Sequence, residues 1–285
     1  MSSRVYKFIL GFLLTLLIMS GEIFMAWPDE KTHLVFCDVG QGDAILLYRG
    51  FTQVLIDMGP DQKSRECLDK YLPFFDKNLE LLVVTHADQD HIGGAQDIFN
   101  GFLIEKVLLS EDGKNTDAFT AFNNLISREK EDGMQQLSAD GVKNFCFTDF
   151  FCAQNLISEP ELWDEEASSN NQSVVLLLDV GGIKVLLTGD MESQREQAIS
   201  ASFLIGKVNI LKVSHHGSKS SSSEEFLRSI SPEISVISVG QNNQFGHPHA
   251  VTLENLQEVG SQIYRTDQMG DAHLLIDEGS FYMVE

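Results

Sequence analysis

The sequence predicts an α/β fold in which two β-sheets pack face to face and helices cover both outer surfaces, an αββα sandwich. Short runs of Val, Ile, Leu and Phe alternate with helix-like segments along most of the chain. Most of these runs are bounded by Gly, Asp or Asn, which commonly end strands in turns. Strand pairs interleaved with helices in this way suit two packed sheets.

The individual elements follow from the same patterns. Strands are expected at residues 34–37, 44–48, 52–56, 81–84, 106–109, 173–179, 183–187, 210–213, 234–239 and 273–276. Helices are expected at residues 63–72, 95–99, 117–129, 193–203, 222–230 and 251–258. Ser222 and Glu225 have capping-box spacing, which makes the serine-rich stretch before them the start of a helix rather than a linker.

Residues 110–170 are the hardest part of the chain to interpret. They are rich in Asp, Glu, Ser and Asn and contain scattered aromatic residues. We expect a variable excursion over the functional site with one helix near residues 119–125. A plain surface loop is the alternative.

Residues 1–30 differ in character from the rest. Arg4 and Lys7 precede an uncharged apolar run at 8–19, which is the arrangement of a secretory signal. Twelve residues are few for a spanning helix, and an extension to Trp27 would include Glu22. We expect a signal peptide or an N-terminal membrane anchor, and a buried helix is the alternative. The domain at 31–285 would then be exported, either secreted or anchored and facing outside.

The composition limits the ways in which the protein can bind its partners. A chain of 285 residues with 43% hydrophobic content can bury the core of one large or two small domains. The net charge of −22 argues against a broad basic surface for nucleic acid. Nucleic acid would have to be held locally, by metal ions and a few cations.

The four cysteines include no Cys-x-x-Cys metal pair. Cys37 lies in a strand-like run and is expected to be a small buried apolar residue. Cys146 and Cys152 are the pair to test for a disulfide, since sequence does not set connectivity.

The most informative motif is THADQDHIGG at residues 85–94, directly after the apolar run 81–84. Two histidines and two aspartates therefore occupy six residues where an expected strand ends, so several short side chains can face one point. Imidazole nitrogen and carboxylate oxygen are the ligands that divalent metals prefer. The motif predicts a metal site rather than a polar loop.

Three further segments extend this pattern. Asp190 follows the expected strand 183–187, so its carboxylate can be presented at a strand end. His215 and His216 leave another strand and should point to opposite sides, so that one binds metal and the other meets substrate or supports the ligands. His247 lies between Gly and Pro and could donate a proton to a leaving oxygen. The remaining His249 and His273 are expected to be ordinary solvated or packed residues.

The chain resembles the metallo-β-lactamase superfamily, whose signature is His-x-His-x-Asp-His. The similarity extends to the soluble hydrolase domain of the ComEC branch of competence proteins and covers nearly all of the chain after the first thirty residues. The resembling blocks are FCDVGQGDA at 36–44, LIDMG at 55–59, THADQDHIGG at 85–94, LTGD at 187–190, SHHGS at 214–218, GHP at 246–248 and YRTD at 264–267. The resemblance also implies the αββα fold of the metallo-β-lactamase type.

This resemblance implies a centre with two divalent metal ions, manganese or zinc. His86 and Asp88 would hold the first ion, Asp90 and His91 the second, and Asp190 would bridge them. We favour His216 as a further ligand of the second ion. Asp38 and Asp57 resemble positions that orient ligating imidazoles, although Asp57 could equally be a turn residue. The candidate catalytic residues are Asp90, His215 and His247.

The sequence departs from the usual signature at the first ion. Asp88 replaces the second histidine, and no histidine occurs between His91 and His215. The first site is therefore rich in oxygen ligands and is completed by Asn171, Ser173 or water. Harder ligands favour manganese or magnesium, although zinc wins by affinity wherever it is plentiful.

The function expected from this resemblance is a metal-dependent phosphodiesterase that acts on DNA, or on another phosphodiester, outside the cytoplasmic membrane. Association with the membrane or with a DNA-uptake channel is left open, and no stable protein partner can be inferred. One alternative is a hydrolase of phosphocholine or other phosphate esters on envelope polymers. The other is an exported binding module without activity, against which the presence of His91 and Asp190 argues.

Overall fold

The computed structural model describes residues 3–110, 116–148, 151–156, 168–202 and 205–284. Its helices are α1 Ser3–Met25, α2 Lys63–Tyr71, α3 Gln89–Ile92, α4 Ala95–Gly101, α5 Asp117–Glu131, α6 Ser193–Ser202, α7 Glu224–Ile230, α8 Ala250–Glu258 and α9 Thr266–Met269. Its strands are β1 Thr32–Phe36, β2 Ile45–Arg49, β3 Thr52–Ile56, β4 Asn78–Leu79, β5 Leu81–Val84, β6 Leu103–Ile104, β7 Lys106–Leu109, β8 Gln135–Ser138, β9 Asn144–Thr148, β10 Phe151–Asn155, β11 Leu176–Val180, β12 Ile183–Leu187, β13 Ile210–Lys212, β14 Ile234–Ile237, β15 Gln262–Arg265, β16 Ala272–Asp277 and β17 Ser280–Met283.

Two large mixed sheets form the centre of the molecule. The first has the strand order β17-β16-β1-β2-β3-β5-β7-β8, and the second has the order β15-β14-β13-β12-β11-β10-β9. The inner faces of both sheets share one apolar core. Helices α2, α4 and α5 pack on the outer face of the first sheet, and α6, α7 and α8 on that of the second. The predicted αββα sandwich is confirmed.

Alternation along β1 shows how the sequence produces these layers. Leu34 and Phe36 point into the core between the sheets, whereas Val35 points outward beneath the helices. All three side chains are buried, because both faces of the sheet are covered. Successive side chains of a strand point to opposite faces, so a continuous apolar run is the signature of a strand covered on both sides.

Strand direction brings the polar motifs to one edge. β3 runs parallel to β5 in the first sheet, and β12 runs parallel to β13 in the second. The carboxyl ends of parallel strands meet at the same edge of a sheet. Asp57, His86, Asp190 and the 214–217 segment follow these four strands, so the chain delivers each of them to the same end of the sandwich.

The structure corrects two expectations about local elements. Ser223, not Ser222, is the N-cap of α7, and its side chain makes no capping hydrogen bond. The backbone amides of Ser222 and Ser223 instead donate to the carboxylate of Glu196, which lies far away in sequence. The capping-box interpretation was therefore wrong, because a tertiary contact supplies the acceptor.

The second correction concerns residues 110–170. Helix α5 packs into the core, β8 extends the first sheet, and β9 with β10 forms the edge of the second. Most of the described part of this segment therefore belongs to the sandwich rather than to an excursion over the site. Residues 111–115, 149–150 and 157–167 lie outside the described ranges.

All four cysteines are paired. Cys37 is buried, as expected, but it is also bonded to Cys67, a pairing that the sequence did not predict. The pairing joins the end of β1 to α2, two elements whose contact depends on the tertiary fold. The pair Cys146 and Cys152, singled out for testing, is bonded across the β9–β10 hairpin.

Helix α1 is longer than the twelve-residue apolar run. Among the described residues it is the one helix whose length and composition would allow it to cross a membrane, over Val5–Met25, and none of that span is buried in the protein. Two residues further on, Trp27 lies against the folded domain.

Candidate metal centre

The THADQDHIGG segment forms the turn from β5 into the short helix α3. Gly93 and Gly94 are needed in this turn because the backbone of the loop after β3 passes very close to them. A Cβ atom on Gly94 would lie 2.2 Å from the Met58 carbonyl oxygen, and one on Gly93 would lie 2.2 Å from that of Pro60. The His91 carbonyl accepts a hydrogen bond from Met58 N at 2.7 Å. These contacts hold α3 against the strand ends and fix the direction of its side chains.

Asp57 orients the imidazole of His91. Both residues are buried, and His91 Nδ1 lies 2.8 Å from Asp57 Oδ2. Asp57 also accepts hydrogen bonds from Thr85 N at 2.8 Å and Thr85 Oγ1 at 2.6 Å. A carboxylate behind one ring nitrogen leaves the other nitrogen to face a ligand, which is the usual support of a metal-binding histidine.

His215 and His216 form a left-handed turn after β13. Their φ angles are 48° and 54°, a conformation that non-glycine residues rarely adopt. As a result the two side chains do not point to opposite sides as a strand would require, and both approach Asp190. His216 is buried, with Nδ1 2.9 Å from the Ser238 carbonyl oxygen, whereas the His215 side chain is 24% exposed.

Asp190 lies at the centre of the cluster. Its Oδ2 atom is 3.5 Å from His91 Nε2, 3.6 Å from His216 Nε2, 3.8 Å from His215 Nε2 and 4.0 Å from His86 Nε2. The Asp190 amide donates to Ser173 Oγ at 3.1 Å, which fixes the turn after β12. One carboxylate thus faces four imidazoles that come from two different segments.

Two ligand groups share this carboxylate. On one side, Asp90 Oδ2 lies 3.3 Å from His216 Nε2, and Asp90, His91, Asp190 and His216 each offer an atom within 4.8 Å of the others. On the other side, Asp88 Oδ2 lies 3.7 Å from His86 Nε2. The family resemblance assigns these two groups to two different ions, and that assignment stays a prediction.

The electrostatics of the cluster are those of a cation site. Burial opposes ionisation of Asp190, yet the charges of His216 and His91 hold its pKa well below the usual range. Burial likewise opposes protonation of His91, but the charges of Asp190 and Asp57 raise its pKa well above the usual value. Asp190 therefore stays ionised in spite of its burial, which suits it to contact a cation.

Several ligand atoms have no hydrogen-bond partner among the described residues. These atoms are His91 Nε2, His216 Nε2 and Asp190 Oδ1. Buried polar atoms are normally paired, so unpaired atoms that converge on one point indicate a site that fits a cation. Imidazole and carboxylate donors together fit divalent ions such as zinc or manganese.

The buried Lys212 was not identified from the sequence. It is fully buried at the end of β13, where its ammonium group pairs with Asp43 and donates to the Gly189 carbonyl oxygen at 2.9 Å. Its Nζ is also 3.6 Å from Asp190 Oδ1. Burial opposes the charge, but Asp43 and Asp190 raise the pKa of Lys212 above its usual value. The signal was a single charge inside the apolar run 210–213.

The proposed completing residues occupy different places. Ser173 Oγ is 3.4 Å from His86 Nδ1, so Ser173 lies at the first group. The Asn171 side-chain oxygen instead accepts from Glu192 N at 2.9 Å. Asp38 accepts from Gly40 N at 3.2 Å, and its own amide donates to Asp271. Within the described residues, the hydrogen bonds of Asp38 are to Gly40 and Asp271 rather than to a candidate ligand, whereas Asp57 contacts His91 directly.

The other histidines separate into two groups. His247 lies beside the cluster, with its ring centroid 5.7 Å from that of His215. The side chain of Asn243 holds the backbone of His247: Asn243 Nδ2 donates to the His247 carbonyl oxygen, and Asn243 Oδ1 accepts from the His247 amide. The ring of His249 is tilted against that of His247, with centroids 5.0 Å apart. His273 lies in the first sheet, where its Nε2 atom is 2.8 Å from His33 Nδ1.

Comparisons with known proteins agree with this fold and site. The "ComE operon protein 3" of Bacillus subtilis (strain 168) is 34% identical over 253 residues, which are 82% of this chain and 31% of that protein. The "Competence protein ComA" of Neisseria gonorrhoeae is 28% identical over 254 residues, 86% of this chain and 32% of that protein. The chain therefore spans about a third of the length of these relatives.

Structural comparison supports the same assignment. The "metallo-beta-lactamase fold protein YhfI from Bacillus subtilis" matches with a TM-score of 0.56 at 11% identity, covering 89% of this chain and all of that one. Identity this low shows a shared fold only. Residues 37–241, which include every candidate ligand, match the Metallo-beta-lactamase superfamily. The chain belongs to the metallo-beta-lactamase superfamily.

Proposed function

We propose that this protein is a metal-dependent phosphodiesterase that cleaves DNA outside the cytoplasmic membrane. The observation that carries the proposal is the position of Asp190, whose Oδ2 atom faces two ligand groups at 3.5 to 4.0 Å. A carboxylate in this position can contact two cations at once. Paired cations suit displacement at phosphorus because they stabilise both the attacking and the leaving oxygen.

The residues of this chain would hold two divalent ions. The Asp90, His91 and His216 group fits one ion, the His86 and Asp88 group fits the other, and Asp190 touches both. When bound, the ions would lower the pKa of water to form a nucleophile and neutralise negative charge on the phosphate. The oxygen-rich group at Asp88 favours manganese over zinc there.

Two histidines are placed to meet the substrate. His215 is the most exposed of the four imidazoles that face Asp190, so a phosphate oxygen can reach it. Burial, together with the charges of His215 and His216, lowers the pKa of His247 to about 4. The neutral His247 ring can therefore donate a hydrogen bond to a phosphate or leaving oxygen without adding a competing charge to the metal site.

DNA is the proposed substrate because relatives that cover most of this chain include one named as a competence protein. The net charge of −22 gives the chain little general affinity for a polyanion, so DNA would have to be held locally, by direct contact with the metal centre. Association with the membrane or with a DNA-uptake channel belongs to the same proposal.

Helix α1 supports the proposed placement. Its apolar, exposed surface suits an N-terminal anchor, with the domain exported. A reporter fused to the carboxyl terminus should be active only when exported, and a reporter active in the cytoplasm would contradict this placement.

Asp190→Ala provides the direct test of the chemistry. The chelator-treated protein, reloaded with manganese, should hydrolyse single- or double-stranded DNA, and Asp190→Ala should lose both hydrolysis and most metal binding. Asp97→Asn, a change at an exposed carboxylate on α4, should retain both. Wild-type hydrolysis by Asp190→Ala would refute the two-metal proposal. Cleavage of a phosphocholine ester without cleavage of DNA would shift the substrate to envelope polymers.

A further inference from the structure

Four aromatic rings form an exposed cluster where helix α1 meets the folded domain. We call it the aromatic patch, and it consists of Trp27, Phe51, Phe74 and Phe75. The ring of Trp27 lies 5.1 Å from that of Phe51 and 6.3 Å from that of Phe75. Phe74 and Phe75 are 5.2 Å apart. The rings come from three separate chain segments, so the fold assembles them.

The patch is exposed although its members are among the most apolar residues. Trp27 is 60% exposed and Phe74 is 59% exposed, and Phe51 and Phe75 also remain largely accessible. Single exposed apolar residues are ordinary, but several large rings in mutual contact mark a surface that another phase or molecule covers. The site already described does not use any of these residues.

Helix α1 points to a lipid bilayer as the phase that covers the patch. The span Val5–Met25 has 21 residues, which at 1.5 Å per residue is about 32 Å and equals the thickness of the hydrocarbon core of a bilayer. Only Ala26 separates this span from Trp27. A helix that ends in the bilayer would therefore place the patch at the membrane surface, where Trp and other amphipathic aromatic residues collect.

Several charges around the patch are paired within the protein. Lys77 Nζ lies 2.7 Å from Asp69 Oδ1, Lys70 Nζ lies 2.7 Å from Asp271 Oδ2, and Asp29 Oδ1 lies 2.9 Å from His33 Nε2. The acidic Glu22 and Glu30 also flank Trp27 in sequence. This rim, with its long lysine stems, suits the headgroup layer of a zwitterionic bilayer better than that of an anionic one.

The topology then fixes the direction of the metal centre. Phe51 lies in the turn between β2 and β3, beside the starts of β1 and β5. Asp57 and His86 follow the opposite ends of β3 and β5. Six residues from Phe51 to Asp57, at about 3.3 Å each, separate the patch from the centre by about 20 Å.

From this geometry we infer that the aromatic patch seats the domain on the lipid surface beside its anchor and turns the metal centre away from the bilayer. The inference rests on the proposed outward placement of the anchored domain. It adds a lipid-contacting surface and a fixed orientation in which the catalytic edge faces the space outside. A long polymer could reach the centre without crossing the headgroup layer.

Tryptophan quenching in lipid vesicles tests this orientation with the full chain. Replacing Trp27 and Trp163 by Phe removes both native tryptophans. Single tryptophans are then introduced as Phe74→Trp in the patch or as Phe245→Trp. Phe245 is a matched control because it is 55% exposed but stacks on His247 beside the metal centre. The vesicles contain dioleoylphosphatidylcholine with or without brominated phosphatidylcholine.

The two probes should behave differently. Phe74→Trp should lose most of its emission in brominated vesicles, whereas Phe245→Trp should be unaffected. Equal quenching of both probes, or none at position 74, would overturn the inference. Leu14→Trp in α1 is the anchor probe. If Leu14→Trp is quenched while Phe74→Trp is not, α1 is in the bilayer but the aromatic patch does not contact lipid. If neither is quenched, the proposed membrane anchoring of the domain is wrong as well.

A second variant tests the inference without introducing a new tryptophan into the patch. With Trp163→Phe alone, Trp27 reports from its native position. Phe74→Glu combined with Phe75→Glu should reduce quenching of Trp27 by brominated lipid, and unchanged quenching would contradict a role for these rings. Trp27 emission that changes with the number of protein molecules per vesicle, but not with brominated lipid, would mean that a second copy of the chain covers the patch. That result would also overturn the inference.

Hydrolysis of DNA on the same vesicles separates this inference from the proposed function. Loss of hydrolysis with position 74 still quenched would refute the phosphodiesterase and leave the orientation intact. Hydrolysis without quenching would refute the orientation alone.

Discussion

Removing the positive charge of Lys212 should destabilise the metal-free protein strongly. Lys212 is fully buried, pairs with the buried Asp43, and donates to the Gly189 carbonyl oxygen at 2.9 Å. Methionine has nearly the same volume, so Lys212→Met removes the charge without leaving a cavity. The remaining Asp43 carboxylate would be buried without its partner. Breaking a buried ion pair in this way costs about 3–5 kcal/mol of the free energy of unfolding.

Chemical denaturation of the chelator-treated protein in mild detergent measures this cost. Lys207→Met, at an exposed lysine just before β13, is the control and should change the free energy of unfolding by less than about 0.5 kcal/mol. The double variant Asp43→Asn with Lys212→Met removes both charges and should recover much of the loss.

Two results would refute the reasoning. A loss below about 1 kcal/mol in Lys212→Met would mean that the ion pair stabilises no more than a surface pair does. Additive losses in the double variant would mean that Asp43 and Lys212 do not act as a unit. In either case the buried lysine would have to be explained by something other than charge compensation.

Three further predictions follow from the site and the first sheet. Asp57→Asn should weaken metal binding by about 10–100-fold in calorimetry, because the carboxylate that orients His91 is lost, and unchanged affinity would contradict that role. Asp88→His should tighten zinc retention and narrow or reverse a preference for manganese at buffered free metal, and an unchanged metal order would contradict the argument from ligand hardness. Burial and the charge of His33 lower the pKa of His273 to about 4. Below pH 6.5 the unfolded chain therefore binds protons more readily, so stability should fall as the pH drops from 6.5 to 4. The loss should be no more than about 3 kcal/mol after screening, and it should be reduced in His273→Gln when unfolding is followed across this range.

Much of the sandwich was predictable because its central strands are covered on both faces. Runs such as 52–56, 81–84, 106–109 and 183–187 coincide with β3, β5, β7 and β12. The edge strand β9 and its neighbour β10 were missed, because both include polar residues and lack the continuous apolar signal. Their pairing is a tertiary feature that the local sequence does not specify.

The ligand types were easier to predict than their geometry. A strand that ends in a His and Asp motif indicates a site at its carboxyl end, and the structure brings His86, His91 and Asp190 together. The direction of His215 was wrong, since the left-handed turn after β13 breaks the alternation of a strand. No local pattern predicts that conformation. The next residue, Gly217, lies so close to Pro248 that an added Cβ would be 2.5 Å from its Cβ atom, a tertiary contact that the local sequence does not reveal.

The position of Lys212 limits how far Asp43 can compete with Asp190 for a cation. Asp43 is as buried as the ligands and lies within 3.9 Å of His91 Nδ1 and 3.7 Å of His216 Nδ1. Together with Asp57 and His91, it offers an alternative set of cation ligands. The ammonium group of Lys212 pairs with Asp43 and so offsets its charge. In the proposed two-metal centre, Asp88, Asp90, Asp190 and Asp57 would then be left to balance the positive charge of two divalent ions. Such a centre would carry little net negative charge, so a phosphodiester could approach it even though the net charge of the protein is −22.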